Sequence, residues 1–321
     1  EYGSIPDAVR AIKLGAKDYL PKPVHREHLL ELAEEILRPL ATVRTKPKDL
    51  FRRTCPKILE VERYARIVAP SDMSVLILGA NGTGKESVAQ GIHANSGRDG
   101  KFVAVNCGAL PRELAASLLF GHEKGAFTDA RKAKVGRMEV ATGGTLFLDE
   151  IGNLSLPMQA KLLTAIEKRC ISRLGSTQAT PIDVRLICAT NADIRRLVDE
   201  GDFRQDLLYR INTIELHIPP LRERGNDILL LAEYFLQRYA RKYQKEMRGL
   251  TREAKNKLLK YAWPGNVREL QHTVERAVIL GDGSLLRPEN FMFQASVSRQ
   301  KKEEEVLNLE QLERQAVERA M

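Results

Sequence analysis

The sequence predicts a parallel α/β sheet with helices on both faces, followed by an all-α unit, and three observations carry that expectation. An apolar run at 75–78 breaks into a glycine-rich loop and then into a helical pattern. A second apolar run, Thr145 to Leu148, has two glycines before it and two adjacent acids after it. Between Cys55 and Ile218, short apolar runs at 75–78, 102–105, 145–148, 184–189 and 213–218 alternate with helical patterns, as strands buried on both faces require. From Asp227 to Leu280 no strand is predicted; Ile228, Leu231, Tyr234 and Phe235, then Leu258 and Leu259, then Leu270, Val274, Ala277 and Val278 mark the faces of a small helical bundle.

In chain order, residues 7–14 predict a short helix and Asp18 to Leu20 a strand. Leu29, Leu30, Ala33, Ile36 and Leu37 line one face of a second helix. Too little is present there for an independent core, and the chain starts with Glu1 rather than Met, so more sequence is expected upstream. A basic, proline-containing stretch at 39–54 predicts a linker. The α/β unit is then expected at 55–221 and the helical unit at 222–295. Residues 296–321 open on a charged linker containing RQKKEEE and end in the start of an amphipathic helix.

The chemistry sits at the ends of the strands at 75–78 and 145–148. Gly79, Ala80, Asn81, Gly82, Thr83 and Gly84 form a loop whose glycines let backbone N–H groups approach a phosphate without a Cβ in the way. Lys85 adds a positive charge at the helix N-terminus, so the expected ligand is a nucleoside triphosphate. Glu86 stands where a Ser or Thr hydroxyl would ordinarily reach a magnesium ion. Alone, the stretch would also suit a glycine turn with a chance lysine, but the acids at the end of the later strand point the same way. Asp149 would hold hydrated Mg2+, and Glu150 would orient and polarise the water attacking the γ-phosphate.

Composition narrows the class. The 321 residues allow two or three domains with sizeable cores. Lys plus Arg total 51 against 42 for Asp plus Glu, a net +9, which is compatible with nucleotide or nucleic acid as partner. No apolar run approaches the roughly 20 residues of a membrane span, and the N-terminus lacks a signal-peptide layout, so a cytoplasmic location without membrane contact is expected. Cys55, Cys107, Cys170 and Cys188 show no paired ligand spacing and read as reduced core thiols.

Residues 55 to about 293 resemble the AAA+ domain of the sigma-54-dependent transcriptional activators, the bacterial enhancer-binding proteins. That family's phosphate loop ends in Gly-Lys-Glu, which accommodates Glu86. FVAVNC resembles the segment ending in the family's switch asparagine, here Asn106, which holds the catalytic glutamate away from water. SLLFGHEKGAFTDA resembles the loop that contacts the sigma factor, comprising Gly125, Ala126, Phe127, Thr128, Asp129 and Ala130 with Phe127 and Thr128 at its tip. The family's usual loop reads GAFTGA, so Asp129 replaces a glycine and adds a negative charge. A companion loop is resembled at Arg173 to Ser176. Thr190 and Asn191 match the first sensor, and FRQDLLYR matches the segment whose Arg204 and Arg210 reach a neighbour's nucleotide. WPGNVREL matches the second sensor, Arg268, with Asn266 read as the cap of its helix. At the N-terminus, AIKLGAKDYLPKPV resembles the end of a response-regulator receiver domain over residues 1–38.

The resemblance implies an ATPase that uses ATP and Mg2+, assembles as a homo-oligomeric ring of six or seven subunits, and remodels sigma-54-bound RNA polymerase to open promoters. It also implies a sensor histidine kinase acting through the receiver and promoter-upstream DNA bound by a C-terminal domain beyond this chain. The alternative reading is a nucleotide-switched DNA-binding regulator of the same fold that does not act on sigma-54, which Asp129 favours.

Overall fold

The computed structural model describes residues 53–127, 130 and 132–293. The receiver-like fragment, most of the first linker, the C-terminal helix, and Thr128 and Asp129 of the loop lie outside the described residues.

The chain enters through α1 (Pro56–Val68), started by a proline whose missing N–H no helix would have used. There follow β1 (Val75–Leu78), α2 (Lys85–Ala94), β2 (Phe102–Asn106), α3 (Arg112–Phe120), the short pair β3 (Gly121–His122) and β4 (Lys134–Val135), and α4 (Arg137–Val140). The unit is completed by β5 (Thr145–Asp149), α5 (Leu156–Lys168), the antiparallel pair β6 (Cys170–Ser172) and β7 (Ala179–Pro181), β8 (Arg185–Thr190), α6 (Ile194–Asp199), α7 (Gln205–Ile211) and β9 (Ile214–His217).

β2, β5, β8, β1 and β9 form one 5-stranded sheet in that order, every neighbouring pair parallel. Alternate residues supply its two faces. Leu76, Val103, Val105, Leu146, Leu148, Leu186 and Cys188 pack on the side of α3 and α5. Val75, Ile77, Phe147, Ile187 and Ala189 pack on the side of α1 and α2. Both faces being covered, all six residues of β8 are buried, which is why the strands read as continuous apolar runs. At the foot of β8, the buried Arg185 donates to the carbonyls of Val68 and Ala69, so a cation closes the C-terminus of α1.

The helical unit is α8 (Asp227–Lys242), β10 (Gly249–Leu250), α9 (Arg252–Lys260), α10 (Asn266–Leu280) and β11 (Leu285–Leu286). It has its own core, with Phe235, Leu258, Trp263, Leu270, Val274 and Phe291 buried. Two sequence expectations need correction here. Gly249 and Leu250 pair in parallel with Leu285 and Leu286 inside and beside the stretch predicted to be strand-free; a two-residue ladder is too short to carry a period of two. Asn266 is not the cap of α10. Gly265 occupies the cap position, and Asn266 is the first helical residue, buried, with a left-handed φ of 54° and its side chain committed to other elements.

Phe147 is 1% exposed and stacks on Phe102 at 5.8 Å. Phe147→Ala should lower the unfolding free energy by about 3–5 kcal/mol, measured by urea denaturation. A loss under about 1 kcal/mol would show that the sheet does not depend on this face.

Candidate functional site

Parallel register brings Asp149, Asn106 and Thr190 to one edge. Leu78 lies opposite Thr190, and Asn106 opposite Asp149, so the C-terminal ends of β1, β2, β5 and β8 align beside the glycine loop. Ligands gather at this edge of open α/β sheets. The loop 79–84 leaves β1 with the Gly79 N–H donating to the Thr190 carbonyl at 3.2 Å. Thr83 is buried and its hydroxyl donates to the Ala80 carbonyl at 2.8 Å, bracing the turn. Lys85 is buried, with Nζ donating to the carbonyls of Gly79 at 3.0 Å and Ala80 at 3.3 Å. Burial pushes its pKa down, Asp149 and Glu150 oppose that, and Arg268 adds to it, so these four groups share one electrostatic site. Glu86 is exposed on α2 and accepts from Gln90.

The two acids differ in conformation. Asp149 closes β5, and its Oδ1 accepts the Glu150 N–H at 2.9 Å. Glu150 takes a left-handed backbone, φ 55° and ψ 43°, which turns its side chain off the strand path. Its Oε2 accepts from Asn153 Nδ2 at 3.2 Å. Asn106 ends β2 with its Oδ1 accepting the Ala109 N–H at 3.1 Å. The side chains of Glu150, Asn153 and Asn106 converge over Gly108, where a Cβ would collide with Glu150 Oε2 and stand 2.8 Å from Asn153 Nδ2. Asn153 and Gly108 were not singled out from the sequence. The available signal was an amide three residues past Glu150 and a glycine two past Asn106. The neighbouring Cys107 thiol is pushed up to about 12 by burial, with Asp149 and Glu150 adding to the effect, so it is chemically quiet.

Thr190 is buried and its hydroxyl accepts the Ala192 N–H at 3.0 Å; Asn191 is exposed. Arg204 precedes α7, and its guanidinium grips Asp206 through two hydrogen bonds of 3.0 and 2.6 Å. Arg210 lies in the last turn of α7 and lines a cleft with Ser74, Arg98 and Thr213 at the opposite, N-terminal edge of the sheet. Arg268 lies in the first turn of α10, with its N–H donating to the Gly82 carbonyl.

A cavity of about 190 Å³ opens between α2 and the helical unit, bounded by Gly84, Ser87 and Val88 on one side and by Leu231, Tyr234 and Gln271 on the other. Its lining mixes apolar side chains with Thr83, Arg224 and Gln271. Among the described residues no three His, Cys, Asp or Glu side chains cluster as a metal cage. Mg2+ is ordinarily held by one or two carboxylates together with water and phosphate oxygens, and Asp149 and Glu150 beside Lys85 offer such donors.

The second sequence-predicted region hangs from β3 and β4. Gly125 takes φ 83° and donates to the Ala130 carbonyl at 2.9 Å, while the Ala130 N–H donates to the Phe127 carbonyl at 2.9 Å, closing a tight loop. Phe127, 37% exposed, packs edge-on against His122 at 5.0 Å. His122 is buried and engaged on both ring nitrogens, with Ser117 Oγ at 2.7 Å and the Lys132 carbonyl at 3.0 Å. The companion loop is fastened alongside. The Glu123 N–H donates to the Leu174 carbonyl and the Leu174 N–H to the Gly121 carbonyl, both at 3.0 Å. Arg173 bonds Glu139 twice and Glu123 once, and Gly175 lies against Ala126.

Residues 52–217 match the sequence profile described as the Sigma-54 interaction domain, and residues 222–308 that described as the AAA+ ATPase lid domain. The transcriptional regulatory protein ZraR of Klebsiella oxytoca is 48% identical over 292 residues, covering 89% of this chain and 66% of that protein. The alginate biosynthesis transcriptional regulatory protein AlgB of Pseudomonas putida is 46% identical over 289 residues, covering 87% and 64%. This chain thus spans just under two thirds of these relatives' length. Crystal structures of NtrX from Brucella abortus superpose with a TM-score of 0.70, in complex with ADP at 32% identity (92% of this chain, 69% of that one) and with ATP at 33% (90% and 68%).

The clamp between the two loops is pH-sensitive in a defined direction. Hydrogen bonds from the Arg173 guanidinium hold the Glu139 carboxyl below its ordinary value, so the stabilisation is complete above pH about 4.5 and is lost as the pH falls through the lower, folded-state value. At pH 3.5 the Glu123 and Leu174 amides should exchange hydrogen faster, relative to intrinsic rates, than at pH 6, with the β1 and β8 amides unchanged. Glu139→Gln should reproduce the effect at pH 7. Equal protection under all three conditions would remove Glu139 from the clamp.

Proposed function

This chain belongs to the sigma-54 interaction-domain family of AAA+ ATPases, and we propose that it hydrolyses ATP to remodel sigma-54-bound RNA polymerase at promoters. The observation that carries the reading is the register that aligns Asp149, Asn106, Thr190 and the glycine loop, with Glu150 turned out of the strand beside them. In the proposed site the loop amides and Lys85 hold the β- and γ-phosphates. Asp149 would hold Mg2+, which when bound would neutralise charge on the phosphate oxygens. Glu150 orients the attacking water, and its bond to Asn153, beside Asn106, is the resting pose held away from that water until the neighbouring subunit engages. Arg268 approaches the phosphates from the lid. Arg210 lies at the opposite edge of the sheet from its own loop, which fits a role, shared with Arg204 at the start of the same helix, toward the nucleotide of the next subunit in a ring of six or seven.

Output passes through Phe127 and the attached companion loop to sigma-54. A response-regulator receiver addressed by a sensor histidine kinase, and promoter-upstream DNA bound by a C-terminal domain, complete the proposed system, which acts in the cytoplasm. Within the described residues no helix is long and apolar enough to cross a membrane. Asp129, in place of a glycine, favours a second reading in which the same nucleotide switch regulates a DNA-binding protein without touching sigma-54.

Glu150→Gln should bind ATP and hydrolyse it at least about 10²-fold more slowly, while Lys85→Ala should lose binding in a calorimetric titration. Normal turnover by Glu150→Gln would overturn the assignment of the base.

Phe127→Ala should hydrolyse ATP within a few-fold of the unmodified chain but fail to co-elute with sigma-54 in the presence of ADP and aluminium fluoride. If the unmodified chain and Asp129→Gly both hydrolyse ATP and both fail to trap sigma-54, the second reading replaces the first.

A further inference from the structure

Three consecutive carbonyls of the glycine loop are each held by the lid or by residues 219–224, the hinge that joins the two units. The Asn81 carbonyl accepts from Asn266 Nδ2 at 2.9 Å. The Gly82 carbonyl accepts the N–H groups of Val267 at 2.9 Å and Arg268 at 3.3 Å, the first amides of α10. The Thr83 carbonyl accepts from Arg224 Nη2 at 2.8 Å. Asn266 reaches the hinge as well, because its Oδ1 accepts the Leu221 N–H at 2.8 Å. Arg224, buried in the same hinge, ties itself to the Pro219 carbonyl through Nε at 3.0 Å and Nη2 at 2.8 Å.

A trans peptide unit presents its C=O and N–H in opposite directions. Fixing the carbonyls of residues 81, 82 and 83 toward the lid therefore fixes the orientation of the amides of residues 82, 83 and 84, which belong to the same peptide units. Those amides lie in the segment that would cradle phosphate. The N-terminal dipole of α10 acts on the Gly82 carbonyl, and the first amides of that helix are engaged there. Gly82 permits the approach: at φ 75° it lies so close to Gly265 that a Cβ would strike the Gly265 carbonyl. The left-handed backbone of Asn266 turns its amide to bridge loop and hinge at once, a conformation that Asn adopts more readily than most residues.

We propose that Asn266 and Arg224 are positioning residues that set the phosphate-binding conformation of the glycine loop from behind, so that lid orientation and nucleotide affinity are one coupled equilibrium. The proposal rests on the reading of this loop as the ATP site and adds what orients it. Neither side chain needs to touch the nucleotide. By reciprocity, nucleotide that favours the anchored loop also favours the docked lid.

Asn266→Asp isolates the contact, since it keeps the acceptor for Leu221 and sets an oxygen against the Asn81 carbonyl in place of the donor. Arg224→Lys removes the guanidinium fork on the other side. Full-length chains would be titrated with ADP and with ATP by calorimetry, and their amide exchange followed without nucleotide. Each variant should bind about 5- to 150-fold more weakly, with faster exchange at residues 82–85 and unchanged exchange in β5 and β8, a split that general destabilisation would not produce. In the unmodified chain, ADP should slow exchange of the Val267 and Arg268 amides, a readout that requires no variant. Affinities within two-fold of normal in folded variants, or Val267 and Arg268 amides indifferent to bound ADP, would overturn the proposal. Failure of the unmodified chain to bind either nucleotide would instead overturn the ATP-site reading itself.

Discussion

The Gly82 carbonyl, accepting two N–H groups from the first turn of α10, is the contact on which the arrangement of the two units depends. A backbone oxygen set against a helix N-terminus satisfies donors that the helix cannot satisfy internally and aligns with the helix dipole. Because Gly82 has no Cβ, the helix comes close enough to make both bonds. The cavity between α2 and the helical unit, the approach of Arg268 to the loop, and the bridging position of Asn266 all follow from that docking.

The second constraint is the parallel register of the sheet. A parallel ladder places strand ends side by side, so residues separated by scores of positions in sequence share one edge. The apolar faces fix that register, because a slip of one residue would send Leu146 and Leu148 to the side that Phe147 occupies. Burial of the strands is therefore what aims Asp149, Asn106 and Thr190. Glu150 departs from the ladder through its left-handed backbone, and Gly108 leaves the space into which its carboxylate folds.

The protruding loops obey a different logic. Their shape comes from hydrogen bonds and ion pairs: the buried His122 engaged on both nitrogens beneath Phe127, and Arg173 bridging Glu123 and Glu139 across to the companion loop. Bonds of this kind can be broken and remade without disturbing the core.

The sequence by itself determined the sheet strands, within a residue or two at each end, because burial on both faces leaves an uninterrupted apolar run bounded by glycines and acids. It also determined the glycine loop with Lys85 and the Asp149–Glu150 pair, since phosphate chemistry demands those residue types at a strand end. Tertiary structure alone decided which partners the polar side chains take. Asn153 rather than Asn106 bonds the Glu150 carboxylate, Asn266 bridges loop and hinge instead of capping its helix, and Arg224 reaches the Thr83 carbonyl. The reason is physical: periodicity and spacing record which side of an element is buried, whereas a hydrogen bond depends on where two elements distant in sequence come to rest, here 141 positions apart for Arg224 and Thr83 and 185 for Asn266 and Asn81.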